Sequence, residues 1–111
     1  MATVDQCRQA LREVAARLQG EPGVSAKLTL DRAVVCHITD LDHSFHGRLR
    51  GGQLIDLTDG DDPAAQIRLN VSSDDLQAIV EGRLNFALAW ATGRASVKAS
   101  FGDLLKLRKL M

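Results

Sequence analysis

Residues 65–76 read Ala65-Gln66-Ile67-Arg68-Leu69-Asn70-Val71-Ser72-Ser73-Asp74-Asp75-Leu76. Ala65, Ile67, Leu69 and Val71 alternate with Gln66, Arg68 and Asn70. That period of two belongs to a strand with one buried and one wet face. At Val71 the period changes. Ser72 and Ser73 are helix-capping residues, and Asp74 and Asp75 place negative charge where a helix dipole favours it. Leu76, Ile79 and Val80 then recur at helical spacing, and Gly82 closes the turn. A strand running directly into a helix is repeated at the C-terminus. There Ala95, Val97 and Ala99 alternate with polar residues, and Gly102-Asp103 opens a last helix containing Leu104, Leu105, Leu107 and Leu110.

Upstream, Val34, Cys36 and Ile38 share one face of an alternating run, as do Phe45, Gly47 and Leu49. Gly51-Gly52 is a hairpin signal, with Ile55 and Leu57 continuing on its far side. Asp59-Gly60-Asp61-Asp62-Pro63 reads as a turn. Val24, Ala26, Leu28 and Leu30 fit a further half-buried strand. The first segment carries Val4, Cys7, Leu11, Val14 and Leu18 along one helical stripe, capped by Thr3 and ended by Gly20 and Pro22. Phe86 to Ala91 is an alanine-rich helix ending at Gly93. The sum is an α+β fold: helix, antiparallel meander, helices, one late strand and a closing helix.

Composition limits the function classes. The 111 residues suit one domain over 1–111. Fourteen basic residues balance fourteen acidic ones, which argues against a nucleic-acid partner or an anionic surface bound mainly by charge. Aromatics are 4% of the chain, sparse for a base-stacking module. Two cysteines, Cys7 and Cys36, make neither a disulfide framework nor a zinc pattern. No apolar run approaches the ~20 residues of a membrane span, so stable membrane insertion is not expected. Residues 1–20 are charged and helix-like, unlike a signal peptide. A cytoplasmic protein is the expectation.

The sequence shows no arrangement of nucleophile, base and orienting group. Were Leu41-Asp42 a tight loop, Val34 would face Leu49, Cys36 would face Gly47, and His37 would face His46. Two imidazoles with Asp40 or Asp42 could then hold a metal ion, although two partly exposed histidines specify a site weakly. Cys36 falls on the core face, where a thiol is inert. The aspartates from Asp56 to Asp62 lack the spacing of a calcium loop. The chain is therefore expected to be no enzyme and to hold no cofactor or metal.

What stands out is apolar surface. Four leucines in the last helix span more than one face, above the small inward residues Ala95, Val97 and Ala99. A greasy lid over small residues leaves apolar volume suited to a hydrocarbon. The alternatives are ordinary packing, or a structural module whose leucine-rich helix is a subunit interface.

From Ala65 onward the chain resembles the sterol carrier protein type 2 domain family. The residues that carry this are 65–71, Ser73-Asp74-Asp75-Leu76, Gly82-Arg83-Leu84-Asn85, Gly93-Arg94 through Val97-Lys98, and Gly102-Asp103-Leu104-Leu105-Lys106-Leu107-Arg108. The resemblance implies an antiparallel-rich five-stranded sheet with helices packed on one face. Between them it implies an apolar tunnel for a fatty acid, acyl-CoA, phospholipid or sterol. By position, Leu76, Ile79 and Val80 would line one wall with Leu84, Phe86 and Trp90. Phe101, Leu104, Leu105 and Leu107 would close the other, above Val97. The terminal Lys109-Leu110-Met111 is not the peroxisomal tripeptide common in that family's eukaryotic members.

Overall fold

The computed structural model describes residues 1–19, 31–51 and 53–108. Its elements are α1 (Val4–Gln19), β1 (Asp31–Ile38), β2 (His43–Arg50), β3 (Gln53–Asp59), β4 (Ile67–Val71), α2 (Ser73–Val80), α3 (Phe86–Ala91), β5 (Ala95–Lys98) and α4 (Phe101–Arg108). The strand expected over Val24 to Leu30 lies outside the described residues.

Helix α1 starts as its sequence dictates. Thr3 Oγ1 accepts from the Gln6 N–H at 3.1 Å, and Gln6 Oε1 accepts from the Thr3 N–H at 2.8 Å, a reciprocal capping box. Its stripe is buried: Cys7, Ala10 and Leu11 are at most 5% exposed. Helix α2 is capped by Ser72 Oγ, which accepts from the Asp75 N–H, and Asn85 caps α3 in the same way through Ala87 and Leu88.

The five strands form one mixed sheet in the order β3-β2-β1-β4-β5. The expected meander is corrected at its centre, where β1 pairs with β4 in parallel, Val34 beside Ile67 through Ile38 beside Val71. Asp59 to Pro63 is consequently not a hairpin turn. The chain from Gly60 to Gln66 crosses the sheet from one edge strand to the other side of β1. Its path is marked by contacts: His46 Nδ1 lies 3.0 Å from the Gly60 carbonyl oxygen, Arg68 donates to Asp61 at 2.8 Å, and the Gln66 N–H donates to the Ala33 carbonyl at 3.1 Å. His46 and Arg68 flank Val35 in register. The crossing thus covers Val35, which is 1% exposed although it points away from the helices.

The β1–β2 register is also corrected. A four-residue turn, Thr39 to Asp42, sets Ile38 opposite His43. Val34 therefore faces Gly47, Cys36 faces Phe45, and His37 faces Ser44 rather than His46. The difference is two residues, so every side chain keeps its expected face. What positions this turn is distant in sequence. Ser73 donates its hydroxyl and its N–H to the Asp40 carboxylate at 2.6 and 2.8 Å, and Ser73 Oγ accepts from the Ala2 N–H at 3.1 Å.

Helices α1, α2 and α3 pack on one face of the sheet, through Cys7, Leu11, Leu76, Val80 and Ala89 against Cys36, Ile38, Phe45, Val71 and Ala95. At the edge of that core Arg8 reaches Asp59 through Nε at 3.0 Å and also bonds Asp5, while its guanidinium lies 5.9 Å over the Phe45 ring. Arg8 first, with His43 3.1 Å away assisting, holds the Asp59 carboxyl down at about 2; Ser73 depresses Asp40. Both carboxylates are lower in the folded than in the unfolded chain, so their stabilisation is complete above an ordinary pKa of 3.8 and disappears as pH falls through the folded values. The melting temperature should accordingly drop between about pH 4 and pH 2. Asp59→Asn should be less stable at neutral pH and show a shallower drop, measured by circular dichroism melts across that range.

Candidate functional site

Between the helix-side face of the sheet and the pair α1 and α3 lies a cavity of about 330 Å³. Its floor is made by Val34 and Cys36 of β1, Phe45 and Gly47 of β2, Ile67 and Leu69 of β4, and Val97 of β5. Leu54 and Leu57 of β3 bound one side. Leu11 and Val14 of α1, with Phe86 and Trp90 of α3, form the roof. The wall is almost wholly apolar.

At one level of the cavity floor the sheet's inward row lacks a side chain. Val34 sits between Gly47 and Ile67 in register, and Gly47 contributes no side chain. Opposite Gly47 the β2–β3 ladder shifts between His46 and Arg48. Asp56 takes a left-handed conformation there (φ 57°), so that Leu54 and Leu57 both lie on the cavity wall, three residues apart. Strict alternation pairing Ile55 with Leu57 is thereby corrected: a bulge adds one residue and flips the face. The bulged strand closes in on the missing side chain. A Cβ on Gly47 would meet the Ile55 carbonyl oxygen at 2.8 Å and Leu54 Cδ1 at 3.4 Å.

Of the eleven residues expected to line a lipid site, Phe86, Trp90 and Val97 are on this wall. The Phe86 and Trp90 rings are 6.1 Å apart and tilted by 56°. Leu76 and Val80 are instead buried in the neighbouring core, with Ile79 and Leu84 packed against it. Helix α4 departs further from expectation. Phe101 is 78% exposed and Leu105 45% exposed, while Leu104 is half-buried; the Leu107 side chain lies outside the described residues. The cause is Asp103, which is 5% exposed and receives Arg32 Nε at 3.0 Å. Residues two before and two after Asp103 lie about 200° away around a helix, so burying the ion pair turns Phe101 and Leu105 outward. Of the twelve other wall residues, nine, among them Leu11, Val14 and Gly47, were legible only as members of an inward face, without a signal separating cavity wall from core, and Val35, His46 and Leu54 were not legible at all.

Cys36 is on the wall and is not a nucleophile. Burial pushes its thiol up to about 12, so it stays protonated at neutral pH. On the opposite face His37 Nδ1 lies 2.8 Å from Ser44 Oγ. Asp42 stands 3.6 Å from His37 Nε2 with a 97% exposed side chain, beyond hydrogen-bonding distance. Among the described residues, no group of three or more histidine, cysteine or acidic side chains is placed to hold a metal ion.

A mixed five-stranded sheet with helices on one face is the fold of the sterol carrier protein 2 proteins, and this chain has it. No protein-family model matches the sequence, and no curated protein matches it. Solved structures do match. Sterol carrier protein 2 from Aedes aegypti, in complex with the C16 fatty acid palmitate, aligns with a TM-score of 0.65 at 21% identity, over 99% of this chain and 96% of that one. Palmitated sterol carrier protein 2-like 2 from Aedes aegypti aligns with a TM-score of 0.65 at 14% identity, over 98% and 94%. The inverting sec-alkylsulfatase of a Pseudomonas species aligns with a TM-score of 0.59 at 22% identity over 81% of this chain, which spans 14% of the alkylsulfatase. None of the described helices is long and apolar enough to cross a membrane.

Gly47→Ala should be costly, because the atom it meets is main chain held in a ladder. We expect a loss of about 1–3 kcal/mol in urea unfolding. A neutral substitution would mean that β3 is free to retreat from β2.

Proposed function

We propose that residues 1–111 form one non-catalytic unit that binds the aliphatic part of a lipid, such as a fatty acyl chain, between the sheet, α1 and α3. The observation that carries this is the 330 Å³ cavity with its almost wholly apolar wall. Such a space is poorly hydrated, and each methylene moved into it from water contributes ~0.8 kcal/mol. A chain of about twelve carbons would gain roughly 9 kcal/mol gross, of which association costs remove a large share. The fold's likeness to proteins solved with palmitate supports the reading. Transfer of the bound lipid between donors and acceptors belongs to the same proposal. So does a cytoplasmic setting, in keeping with two free, buried cysteines.

Trp90 is the one tryptophan of the chain and lies on the wall, so it reports on the site directly. A bromine-labelled dodecanoic acid should quench its fluorescence saturably. Val97→Phe, which fills the floor, should weaken that quenching at least tenfold while keeping the circular dichroism spectrum. Quenching that rises linearly and without saturation in the wild-type protein would refute lipid binding at this cavity.

A second reading has its own observation. Phe101 and Leu105 lie on one side of α4, and both are exposed. They would serve as an interface between two copies of the chain. Sedimentation should then show a dimer that Phe101→Glu converts to monomer; a monomer at ~100 μM excludes this reading, since hydrophobic interfaces of stable dimers hold well below that concentration.

A further inference from the structure

We infer that the end of the molecule carrying α4 is a docking face for an anionic lipid bilayer, held there by arginine and lysine side chains and by Phe101 and Leu105 entering the interface. The choice of a bilayer over an acidic protein rests on the proposal that the protein handles lipid. The face itself is read from charge and exposure.

The first argument is charge separation, which the equal totals of basic and acidic residues conceal. One end of the sheet holds the β1–β2 turn, the starts of α1 and α2 and the last residue of β3. Among the described side chains, Asp5, Asp40, Asp42, Asp59, Asp74 and Asp75 stand there against Arg8 and Arg94. Arg8 and Arg94 are placed at this end by their bonds to Asp59 and Asp75. At the opposite end β1 and β4 begin and β2 and β5 finish. There Arg12 and Arg17 of the second half of α1, with Arg32, Arg48, Arg50 and Lys98, outnumber Glu13, Asp31, Asp56 and Asp103. Helix α4 runs on through Lys106 to Arg108, which adds two basic positions. The other described charges are the pairs Arg68–Asp61 and Arg83–Glu81, together with Asp62. The molecule thus has a positive and a negative pole, and a charged surface orients it.

The second argument is exposure. Asp103 turns inward to Arg32 at the start of β1, which fixes α4 to the basic end and leaves Phe101 and Leu105 on its outer side. Arg50 lies at the same end with a 67% exposed side chain. Its acidic neighbour Asp31, 3.9 Å away, is also bound by Arg48 at 2.6 Å, so one carboxylate serves two guanidiniums. An aromatic ring and a leucine at the same end as exposed guanidiniums match a bilayer surface. Its anionic headgroups attract the cations, and its acyl boundary receives the apolar side chains.

The third argument decides between occupants. A second copy docked through α4 about a two-fold axis would bring two basic ends together, and like charges set face to face oppose association. An anionic bilayer gains from the same charges. The cavity floor also lies nearer this end: Val34 is three residues from the start of β1, Ile67 opens β4, and Val97 is next to last in β5. Docked in this orientation, the protein holds its apolar space toward the membrane and its acidic pole toward water.

The test is flotation of the full chain with vesicles of phosphatidylcholine alone and of phosphatidylcholine containing about one third phosphatidylglycerol. Binding should appear only with the anionic vesicles and fall at least about tenfold between ~20 and ~300 mM salt. Arg50→Glu and Phe101→Ser should each weaken it about fivefold to tenfold. Both side chains are exposed, so circular dichroism melts should stay unchanged. Asp42→Lys, at the acidic pole, alters net charge as much as Arg50→Glu does, in the opposite sense, and should change binding less than about twofold. A gain from Asp42→Lys as large as the loss from Arg50→Glu would mean attraction by net charge without a face, and would overturn the inference. Equal binding to neutral vesicles would overturn it too, as would a dimer in sedimentation that Phe101→Ser dissolves. Saturable Trp90 quenching without binding to anionic vesicles would remove the docking face and leave the proposed function. Vesicle binding by a chain whose Trp90 the labelled acid does not quench would remove the proposed function and leave the face.

Discussion

The parallel ladder between β1 and β4 is the constraint on which the rest of the molecule depends. It sets the most apolar strands side by side at the centre of the sheet, and it cannot be closed by a short turn. The chain from Gly60 to Gln66 must therefore cross the sheet. That crossing uses polar groups that would otherwise face only water: Arg68 meets Asp61, and His46 meets the Gly60 carbonyl. It also buries Val35, so both faces at the centre of the sheet are shielded from water. With β4 fixed beside β1, α2 starts directly above the β1–β2 turn. There Ser73 joins Asp40 and the N-terminal segment in one hydrogen-bonded knot.

The cavity is a consequence of the same frame. Residues of α1, α3 and all five strands border it, and each is already committed elsewhere. Leu11 packs with the core under α2, Ala89 locks α3 against the sheet, and the bulge at Asp56 has already brought β3 inward as far as its backbone permits. A globular interior ordinarily fills such space. Here the elements that could fill it are held by ladders and by a packed core, and the remaining volume stays apolar.

Charge is arranged around this interior rather than within it. Arg8 and Asp59 clamp α1 to the end of β3, and Arg32 and Asp103 clamp α4 to the start of β1. These pairs explain orientation more than stability, since partly exposed ion pairs contribute little. The Asp103 pair has the larger structural effect. It makes an acidic residue, instead of a leucine, the inward member of the last helix, and so leaves Phe101 and Leu105 facing outward.

Alternation and helical spacing determined much of this protein. The inward faces Val34-Cys36-Ile38, Phe45-Gly47-Leu49 and Ile67-Leu69-Val71, the capped starts of α1 and α2, and the α+β class follow from local periodicity, which needs no knowledge of partners. Three residues of the candidate wall, Phe86, Trp90 and Val97, were within reach of the same reasoning joined to a family resemblance. Tertiary structure decided what remained. Which strand lies beside β1, the two-residue offset of the β1–β2 pairing, the bulge that puts Leu54 and Leu57 on one wall, and the outward turn of α4 each depend on contacts between distant residues: Asp40 with Ser73, Arg68 with Asp61, Gly47 with Ile55, Arg32 with Asp103. A periodic pattern states which side of an element is greasy. Whether the space in front of that side is filled or empty depends on how closely other elements can approach, and that is a property of the assembled backbone.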